Sequence, residues 1–350
     1  MSPSAVSAPS RDEVFDAVLS EYRAVTRERL FRYLPDAEPR DYLYTLAADY
    51  PRRGGRGFRP SLCIATARAF GASTEAALAT AVSIEMIHNA MLIHDDIEDE
   101  SEHRRGRAAL HVTEGVPIAI NVGDALSLLA MRPLLDNRPL LGPELSLRIL
   151  EETERMARES AEGQALELGW RRDNVVDLTE SDYLTMVLKK TCWLATIHPM
   201  RAGALIGSRG RVDPDRFLRF GFLLGAAFQV QDDLLNLEGD PDAYGKEMDG
   251  DILEGKRTPM LLHRSEHASA RATAALHPRP RLPPPARTED DVSTVRTLMD
   301  RYGSIDYARQ AAHGLAGAAQ YEFLQSCGDL PDSRDRRFIA ALPEWFIHRS

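Results

Sequence analysis

The chain has 350 residues, of which 43% are hydrophobic and 27% are charged, and these proportions are typical of a globular protein. Its formal net charge of −10 argues against a general nucleic-acid partner, which would need a basic surface for phosphates. No run of about 18 uninterrupted apolar residues occurs, so no membrane span is expected. The first residues contain no apolar secretory segment. We therefore expect a soluble, cytoplasmic protein.

Helical patterns occupy almost the whole chain. Residues 1–10 are rich in Ser, Pro and Ala, which predicts disorder. Apolar residues then recur at three- and four-residue intervals, first over 13–33, and alanine-rich stretches at 65–81 and 308–319 favour helix. No alternating strand pattern and no βαβ rhythm is present. The sequence therefore predicts the all-α class.

One segment interrupts the helical pattern. Residues 277–287, HPRPRLPPPAR, cannot be helical and predict a polyproline-like loop or a disordered insertion. The helices that follow it lack enough apolar length for a core of their own. We therefore predict one domain over 11–350, with this segment as a loop.

The three cysteines are far apart in the chain and match no zinc-binding or redox spacing. They are Cys63, Cys192 and Cys327. Cysteines without such a spacing behave as small hydrophobic residues. We predict buried, free thiols in a reducing compartment.

A dense acidic cluster, MLIHDDIED, occupies residues 91–99 and follows an apolar run. In the helix predicted over 80–99, apolar residues lie on almost every face, which is typical of a helix buried in a bundle. Asp95 and Asp99 are four residues apart and share one helix face, with Asp96 beside them. Carboxylates at this spacing repel each other unless a cation lies between them, and Mg²⁺ prefers such oxygen ligands. The cluster predicts a magnesium site; its alternative is an ordinary acidic surface.

A second predicted helix ends in the same way. Residues 221–240 are mostly apolar and contain Asp232 and Asp233, with Asn236 four residues after the first of them. Two buried helices that end in aspartate pairs can face each other across a bundle and bind metal between them. The pair of clusters therefore favours the metal site over two helices that simply end in acidic residues.

Basic residues lie on apparent loops and helix ends near both acidic clusters. They are Arg56 and Arg59 in a glycine-rich turn, Arg104 and Arg105, Lys190 beside Thr191, Lys246, and Lys256 with Arg257. Arginine forks, lysine ammonium groups and Mg²⁺ together are suited to bind a diphosphate. One such basic site alone is more often solvated surface, but the combination predicts a diphosphate site.

A set of motifs, in a fixed order, carries a resemblance to a known family. They are GGRGFRP, EMIHNAMLIHDDIEDESEHRRG, GDAL, GQALEL, KKT, FQVQDDLLN and YGKEMDGDILEGKRT, and they cover roughly residues 50–310. The chain resembles a trans-isoprenyl diphosphate synthase of the polyprenyl synthetase family. The resemblance implies a helical bundle of the isoprenoid synthase type with a central active-site cavity, and a homodimer. It also implies a Mg-dependent prenyltransferase that condenses isopentenyl diphosphate with an allylic diphosphate (DMAPP, GPP or FPP).

The resemblance assigns roles to individual residues. The implied ligands of a cluster of three magnesium ions are Asp95, Asp96, Asp99, Asp232, Asp233 and Asn236; the five aspartates and Lys190 are the implied catalytic residues. The implied allylic diphosphate site consists of Arg104, Lys190, Thr191 and Lys246, with Lys256 nearby. The positions that match the isopentenyl diphosphate site are Gly55, Arg56, Arg59, His88 and Arg105. Gln229 falls where the family has a polar side chain near the reacting carbons.

Three positions depart from the family pattern. Arg56 stands where lysine is usual, which keeps the charge and changes its geometry. Gly57 stands where many relatives have another arginine, so the second pocket has one cation fewer. Asn236 replaces the third aspartate of the second motif, a variation common among long-chain members. None of these changes removes an indispensable residue.

Residues about one turn before Asp95 are expected to form the floor of the tunnel for the growing chain. Ala90 lies five residues and Met91 four residues before it, and Ile87 comes next. In the family, bulky aromatic residues at these positions stop growth at fifteen carbons. Because Ala90 is small and Met91 is flexible, the sequence favours the twenty-carbon geranylgeranyl diphosphate. Products of fifteen carbons, or of twenty-five or more, remain alternatives. A further alternative is that Ala90 only contributes to packing between helices.

Two other functions compete with this prediction. A class I terpene cyclase on the same scaffold would use one aspartate-rich helix and would need no isopentenyl site. The second aspartate pair and the GGRGFRP and EGKRT motifs argue against it. A non-catalytic partner subunit should have lost aspartate or arginine residues, and this chain retains them.

Overall fold

The computed structural model describes residues 11–239, 248–267 and 288–348. Three predictions fall outside the described residues: disorder over 1–10, the proline-rich loop at 277–287, and the position of Lys246. Over the rest, the all-α prediction is confirmed, because helices form nearly all of the regular structure. The single-domain prediction over 11–350 stays a prediction.

The α-helices of the described residues are numbered in chain order. They are α1 (Arg11–Phe31), α2 (Thr45–Ala47), α3 (Asp49–Arg53), α4 (Phe58–Ala69), α5 (Thr74–Glu98), α6 (Leu110–Glu114), α7 (Val116–Leu129), α8 (Met131–Leu135), α9 (Arg138–Leu141), α10 (Pro143–Arg172), α11 (Glu180–Val187), α12 (His198–Ser208), α13 (Leu218–Glu238), α14 (Gly250–Glu254), α15 (Pro259–His267), α16 (Glu289–Arg301), α17 (Ser304–Cys327) and α18 (Arg334–His348). Two π-helical segments, Arg40–Tyr44 and Leu188–Ile197, and a 3₁₀ turn at Pro214–Phe217 occur between them.

The two helices predicted to end in aspartates are central elements of the bundle. Helix α5 begins after Ser73, whose hydroxyl accepts a hydrogen bond from the Ala76 amide at 3.3 Å and so caps the helix. It packs against α1, α4 and α7, while α13 packs against α17, α18 and the π-helical segment Leu188–Ile197. Both helices bury residues on several faces, as the apolar sequence predicts. Near their carboxyl-terminal ends, Asp96 and Asp233 are buried, whereas the last residues, Glu98 and Glu238, are exposed.

A small hairpin, which no alternating pattern in the sequence indicates, lies between α5 and α6. Strands β1 (His103–Arg104) and β2 (Arg107–Ala108) pair antiparallel. The two loop residues have positive φ, 55° at Arg105 and 70° at Gly106, which is the requirement of a type I′ turn. Arg53 donates hydrogen bonds to the carbonyl oxygens of Arg104 at 3.1 Å and Ala108 at 2.8 Å. Two-residue strands are too short to produce a readable alternation, so the sequence pattern missed them.

The cysteine prediction is confirmed as far as burial is concerned, since all three thiols are buried and free. The prediction that no segment spans a membrane needs qualification. By length and composition, Thr74–Glu98 and Val116–Leu141 could each cross a membrane. However, 72% of the apolar window in the first is buried inside the protein, as in a core helix, and the second is divided among α7, α8 and α9. The cytoplasmic location stays a prediction.

Helix α10 approaches the π-helical segment Leu188–Ile197 very closely at Gly163. A β-carbon built at this glycine would lie 2.1 Å from the Lys190 amide nitrogen and 2.6 Å from its α-carbon. These are backbone atoms, which cannot move aside as a flexible side chain can. The absence of a side chain at Gly163 therefore permits the helix contact that places Lys190.

We expect Gly163→Ala to destabilise the protein by about 1–3 kcal/mol, because the added methyl group forces two backbones apart. The matched control is Gly169→Ala in the same helix, where an added β-carbon meets no atom within 4 Å. That control should be neutral or stabilising by up to about 1 kcal/mol, because alanine favours helix. Urea unfolding of both variants measures the difference, and equal free energies of unfolding would contradict the steric explanation.

Candidate active site

A cavity of about 880 Å³ is lined by residues near the carboxyl-terminal ends of α5 and α13. Most of the residues predicted for the site line it: Gly55, Arg56, Arg59, His88, Met91, Asp95, Arg104, Arg105, Lys190, Thr191, Gln229, Asp232, Asp233 and Lys256. Among the predicted residues that the structure describes, those that do not line it are Asp96, Asp99, Asn236, Ala90 and Ile87. Residues from well-separated parts of the chain are thus brought together in one cavity.

The three aspartates at the end of α5 point in different directions. Asp95 lines the cavity, 3.2 Å from an Arg104 nitrogen and 3.6 Å from the Lys190 ammonium. Asp96 is fully buried and accepts hydrogen bonds from Arg104 and from the Tyr50 hydroxyl. Its carboxylate therefore fixes Arg104 at the cavity wall, a contact that the spacing of the motif did not predict. Its role as a metal ligand stays a prediction.

Asp99 is buried between two cations. Its oxygens lie 2.5 Å from an Arg171 nitrogen and 2.9 Å from the Lys256 ammonium. Burial by itself would raise the Asp99 pKa, but the charges of Lys256, Lys190 and Arg171 outweigh it and hold the pKa below its ordinary value. The carboxylate is consequently ionised, and its charge is cancelled by ion pairs.

A chain of hydrogen bonds connects the second aspartate pair to the Lys190 segment. Thr191 donates to the Gln229 side-chain oxygen at 2.7 Å, and the Gln229 amide donates to Asp233 at 2.7 Å. The Tyr183 hydroxyl donates to the other Asp233 oxygen at 2.8 Å. Burial and the neighbouring carboxylates of Asp251 and Asp232 raise the Asp233 pKa well above its ordinary value. Thr191 and Gln229 therefore orient Asp233.

Asn236 bonds to the backbone of the next helix. Its side-chain oxygen accepts a hydrogen bond from the Asp251 amide at 3.1 Å, in the first turn of α14. The Asp251 carboxylate lines the cavity and lies 3.3 Å from the Lys256 ammonium. The role of Asn236 as a metal ligand stays a prediction, whereas its hydrogen bond connects α13 to the segment that carries Lys256.

Both cavity lysines remain protonated. Burial lowers the Lys190 pKa, but Glu167 and Asp95 raise it by more, and the net shift is upward. Lys256 behaves in the same way, because Asp251, Asp99 and Glu254 surround it. Lys190 also donates to Glu167, which belongs to α10. Two fixed positive charges thus flank the carboxyl-terminal end of α5.

The other basic group surrounds the glycine turn after α3. A β-carbon built at Gly55 would lie 2.8 Å from the Arg105 guanidinium, so glycine permits this arginine to approach. Arg105 also donates to the Tyr50 carbonyl oxygen at 3.1 Å. Burial and the nearby Arg59 charge lower the His88 pKa to about 4. His88 is therefore neutral at physiological pH.

Only one of the three residues predicted to set the product length lines the cavity. The Met91 side chain lines the cavity. Ala90 and Ile87 are 0% and 5% exposed and pack within the hydrophobic core beside it. Of the three, Met91 is the one at the cavity wall, and the roles of Ala90 and Ile87 stay predictions.

Several cavity residues escaped the sequence analysis. They are Glu85, Tyr183, Glu167, Asp251 and Trp345. Glu85 precedes His88 by one helical turn and Asp251 lies within YGKEMDGDILEGKRT, so spacing could have indicated both. Tyr183 and Trp345 reach the cavity only through tertiary packing, and no local pattern marks them.

The oxygen ligands of the cavity suit Mg²⁺. Asp95 from α5 and Asp232 from α13 both line it. No group of three His, Cys, Asp or Glu side chains poised around one metal ion was found among the described residues. Mg²⁺ usually binds through one or two carboxylates together with water and substrate phosphates, so a preformed protein cage is not required. The donor set therefore fits, although the predicted number of ions stays a prediction.

Comparison with known proteins agrees with this geometry. The family described as polyprenyl synthetase matches residues 40–293. The chain is 33% identical over 341 residues to the short chain isoprenyl diphosphate synthase of Methanothermobacter thermautotrophicus, covering 96% of this chain and 99% of that protein. The crystal structure of geranylgeranyl pyrophosphate synthetase from Pyrococcus horikoshii superposes with a TM-score of 0.83 at 30% identity, covering 97% and 99% of the two chains.

Relatives of comparable similarity carry different product names. The geranylfarnesyl diphosphate synthase of Natronomonas pharaonis is 30% identical, covering 97% of this chain and 99% of that protein. The match to the octaprenyl diphosphate synthase of Escherichia coli has 31% identity and covers 85% and 86%. The names therefore agree on the class of enzyme and differ on product length. By its sequence match and its fold, the chain belongs to the polyprenyl synthetase family, a family of prenyl-transferring enzymes.

Proposed function

We propose that the protein condenses isopentenyl diphosphate with allylic diphosphates, in a Mg-dependent reaction, to form a trans-polyprenyl diphosphate. The observation that carries the proposal is the common cavity, in which Asp95 and Asp232 face two groups of basic side chains. One basic group, around Lys190 and Lys256, suits an allylic diphosphate. The other, around Arg59 and Arg105, suits a second diphosphate.

The first chemical step is the loss of the allylic diphosphate. Arg104, Lys190 and Lys256 bind the leaving group and stabilise the negative charge that develops on it. Asp95 and Asp232 would hold Mg²⁺ at the cavity, and the ion would supply further positive charge there. The carbocation that remains must be kept from water, and the apolar side chains of Met91, Leu194 and other cavity residues exclude it.

The second step joins the two substrates. The allylic carbon is attacked by the double bond of isopentenyl diphosphate, and loss of a proton completes the five-carbon addition. His88, with a pKa of about 4, contributes a neutral imidazole to this side of the cavity. Thr191 orients Gln229 at the cavity, and we propose that this polar side chain lies near the reacting carbons. The departing diphosphate is the proposed proton acceptor.

We propose geranylgeranyl diphosphate, with twenty carbons, as the main product. The support is the absence of an aromatic side chain at positions 90 and 91, where Ala90 and Met91 leave the region beneath Asp95 without a bulky block. Because the relatives include geranylfarnesyl and octaprenyl diphosphate synthases, longer products are the main alternative.

The proposed homodimer is supported by an exposed apolar surface on α6, α7, α8 and α10. Its side chains are Val112, Val116, Ile120, Leu128, Leu135 and Leu147. Exposed apolar side chains that form a contiguous patch mark interfaces in many proteins, and we propose that these side chains form one. We expect light scattering after size exclusion to give the mass of a dimer. Leu128→Glu, at a residue that is 73% exposed, should give a monomer, and a monomeric wild-type protein would contradict the proposal.

Mass spectrometry of products is the direct test of the proposed reaction. Purified protein is supplied with Mg²⁺, isopentenyl diphosphate and, separately, allylic primers of five, ten and fifteen carbons. Isopentenyl consumption with a twenty-carbon diphosphate supports both the reaction and the product. Polyprenyl diphosphates of more than twenty carbons support the proposed reaction but contradict the proposed product. Release of a hydrocarbon without isopentenyl consumption would instead establish a terpene cyclase.

We expect Asp95→Ala and Asp232→Ala each to reduce turnover by roughly 10³-fold or more, because each removes a carboxylate that binds Mg²⁺. Asp16→Ala, on the exposed face of α1, is the matched control and should retain full turnover. Circular dichroism should show unchanged helix content in all three variants. Near-normal turnover in either cavity variant would exclude the proposed metal site.

We expect Ala90→Phe and Met91→Phe to shorten the product, because an aromatic ring beneath Asp95 occupies space that the growing chain needs. Met91 already lines the cavity, whereas Ala90 is fully buried. Met91→Phe therefore tests blocking of the tunnel, while Ala90→Phe can also overpack the core. Products are compared by mass spectrometry at equal extents of turnover. Unchanged product lengths in both variants would place the floor of the tunnel elsewhere.

A further inference from the structure

Arg56, in the turn between α3 and α4, and Arg59, in the first turn of α4, both lie over aromatic rings. The Arg59 guanidinium carbon is 4.8 Å from the centroid of the Phe58 ring and 5.9 Å from that of Phe228. The Arg56 guanidinium carbon is 5.5 Å from the centroid of Trp345. Cations within about 6 Å of a ring centroid are attracted by the negative face of the ring. The two charges that face the second diphosphate site are therefore each supported by an aromatic side chain.

Trp345 comes from a distant part of the chain. It lies near the end of α18, the last helix of the described residues, and its side chain lines the cavity. Neighbouring rings surround it, with centroids 5.0 Å away at Phe15, 5.4 Å at Phe346 and 6.4 Å at Phe58. Because these contacts come from three different helices, the orientation of the indole ring is fixed by the core.

Arg56, by contrast, is an exposed residue of the turn between α3 and α4. The turn contains Gly54 and Gly57 at φ values of 80° and 66°, and a long exposed side chain has many rotamers. Stacking on a fixed ring reduces the number of rotamers that the guanidinium samples. Arginine is suited to this contact because its flat guanidinium stacks on aromatic faces, whereas the lysine ammonium is a strongly hydrated point charge.

We propose that Trp345 is a positioning residue for the second substrate: it holds the Arg56 guanidinium at the cavity, where it binds the diphosphate of isopentenyl diphosphate. The proposal rests on the proposed function and adds α18 to the walls of this site. It also accounts for arginine at position 56, since the pairing with an indole ring favours guanidinium over ammonium.

The test is steady-state kinetics of Trp345→Leu and Trp345→Phe with each substrate varied in turn. We expect Trp345→Leu to raise KM for isopentenyl diphosphate about fivefold, the size of a typical cation–π contribution, with KM for the allylic substrate and kcat nearly unchanged. Trp345→Phe retains an aromatic face and should restore most of the wild-type KM. A merely structural role would lower activity toward both substrates, and that result would overturn the proposal.

Phe323→Leu is the matched control. The Arg336 guanidinium carbon lies 5.4 Å from the centroid of Phe323, and this ring does not line the cavity. The control loses a comparable cation–π contact and should leave both KM values unchanged. An increase in KM for isopentenyl diphosphate in this control equal to that of Trp345→Leu would overturn the proposal.

Arg56→Lys tests the pairing directly and does not disturb the aromatic core. We expect it to raise KM for isopentenyl diphosphate in the wild type and to have little further effect in Trp345→Leu, because the stacking partner is already absent. Equal effects in both backgrounds would overturn the proposal. If the wild-type protein consumes no isopentenyl diphosphate, the proposed function itself fails. If Trp345→Leu is active and its KM for isopentenyl diphosphate equals that of the wild type, only the proposal for Trp345 fails.

Discussion

Charge compensation at the carboxyl-terminal end of α5 is the constraint on which the rest of the structure depends. Asp96 and Asp99 are almost completely buried, and a buried carboxylate without a partner is severely destabilising. The partners come from separate elements: Arg104 from the hairpin pairs with Asp96, while Arg171 from α10 and Lys256 from the segment after α14 pair with Asp99. Lys190 from the π-helical segment pairs with the neighbouring Asp95. The positions of these elements are therefore coupled through the end of α5.

Backbone geometry places these charges, and much of it depends on residues without large side chains. Gly163 permits α10 to contact the backbone of Lys190, and Gly55 permits Arg105 to reach the neighbouring turn. The π-helical segment carries both Lys190 and Thr191, and such wide turns are frequent at functional sites because they reorient side chains within a helix. Polar groups thus converge without disturbing the apolar packing of α5 and α13.

The cavity combines two environments that the proposed reaction needs. Fixed cations at the helix ends stabilise a diphosphate leaving group, since preorganised charges need no rearrangement when negative charge develops. The apolar side chains of α5, the π-helical segment and α13 surround the space beside them and exclude water. Aromatic residues of α4, α13 and α18 connect this apolar region to the arginines of the second basic group.

By itself, the sequence determined the all-α class, the family and most of the charged residues of the cavity. It could do so because helical periodicity and motif spacing are local properties, and because Asp95, Lys190 and Asp232 lie within such motifs. Only the tertiary structure decided that Asp96 pairs with Arg104 and Tyr50, that Asn236 bonds to the backbone of α14, and that Trp345 reaches Arg56. These contacts join residues that are far apart in the chain. Their geometry depends on how whole helices pack, so no local sequence pattern indicates them.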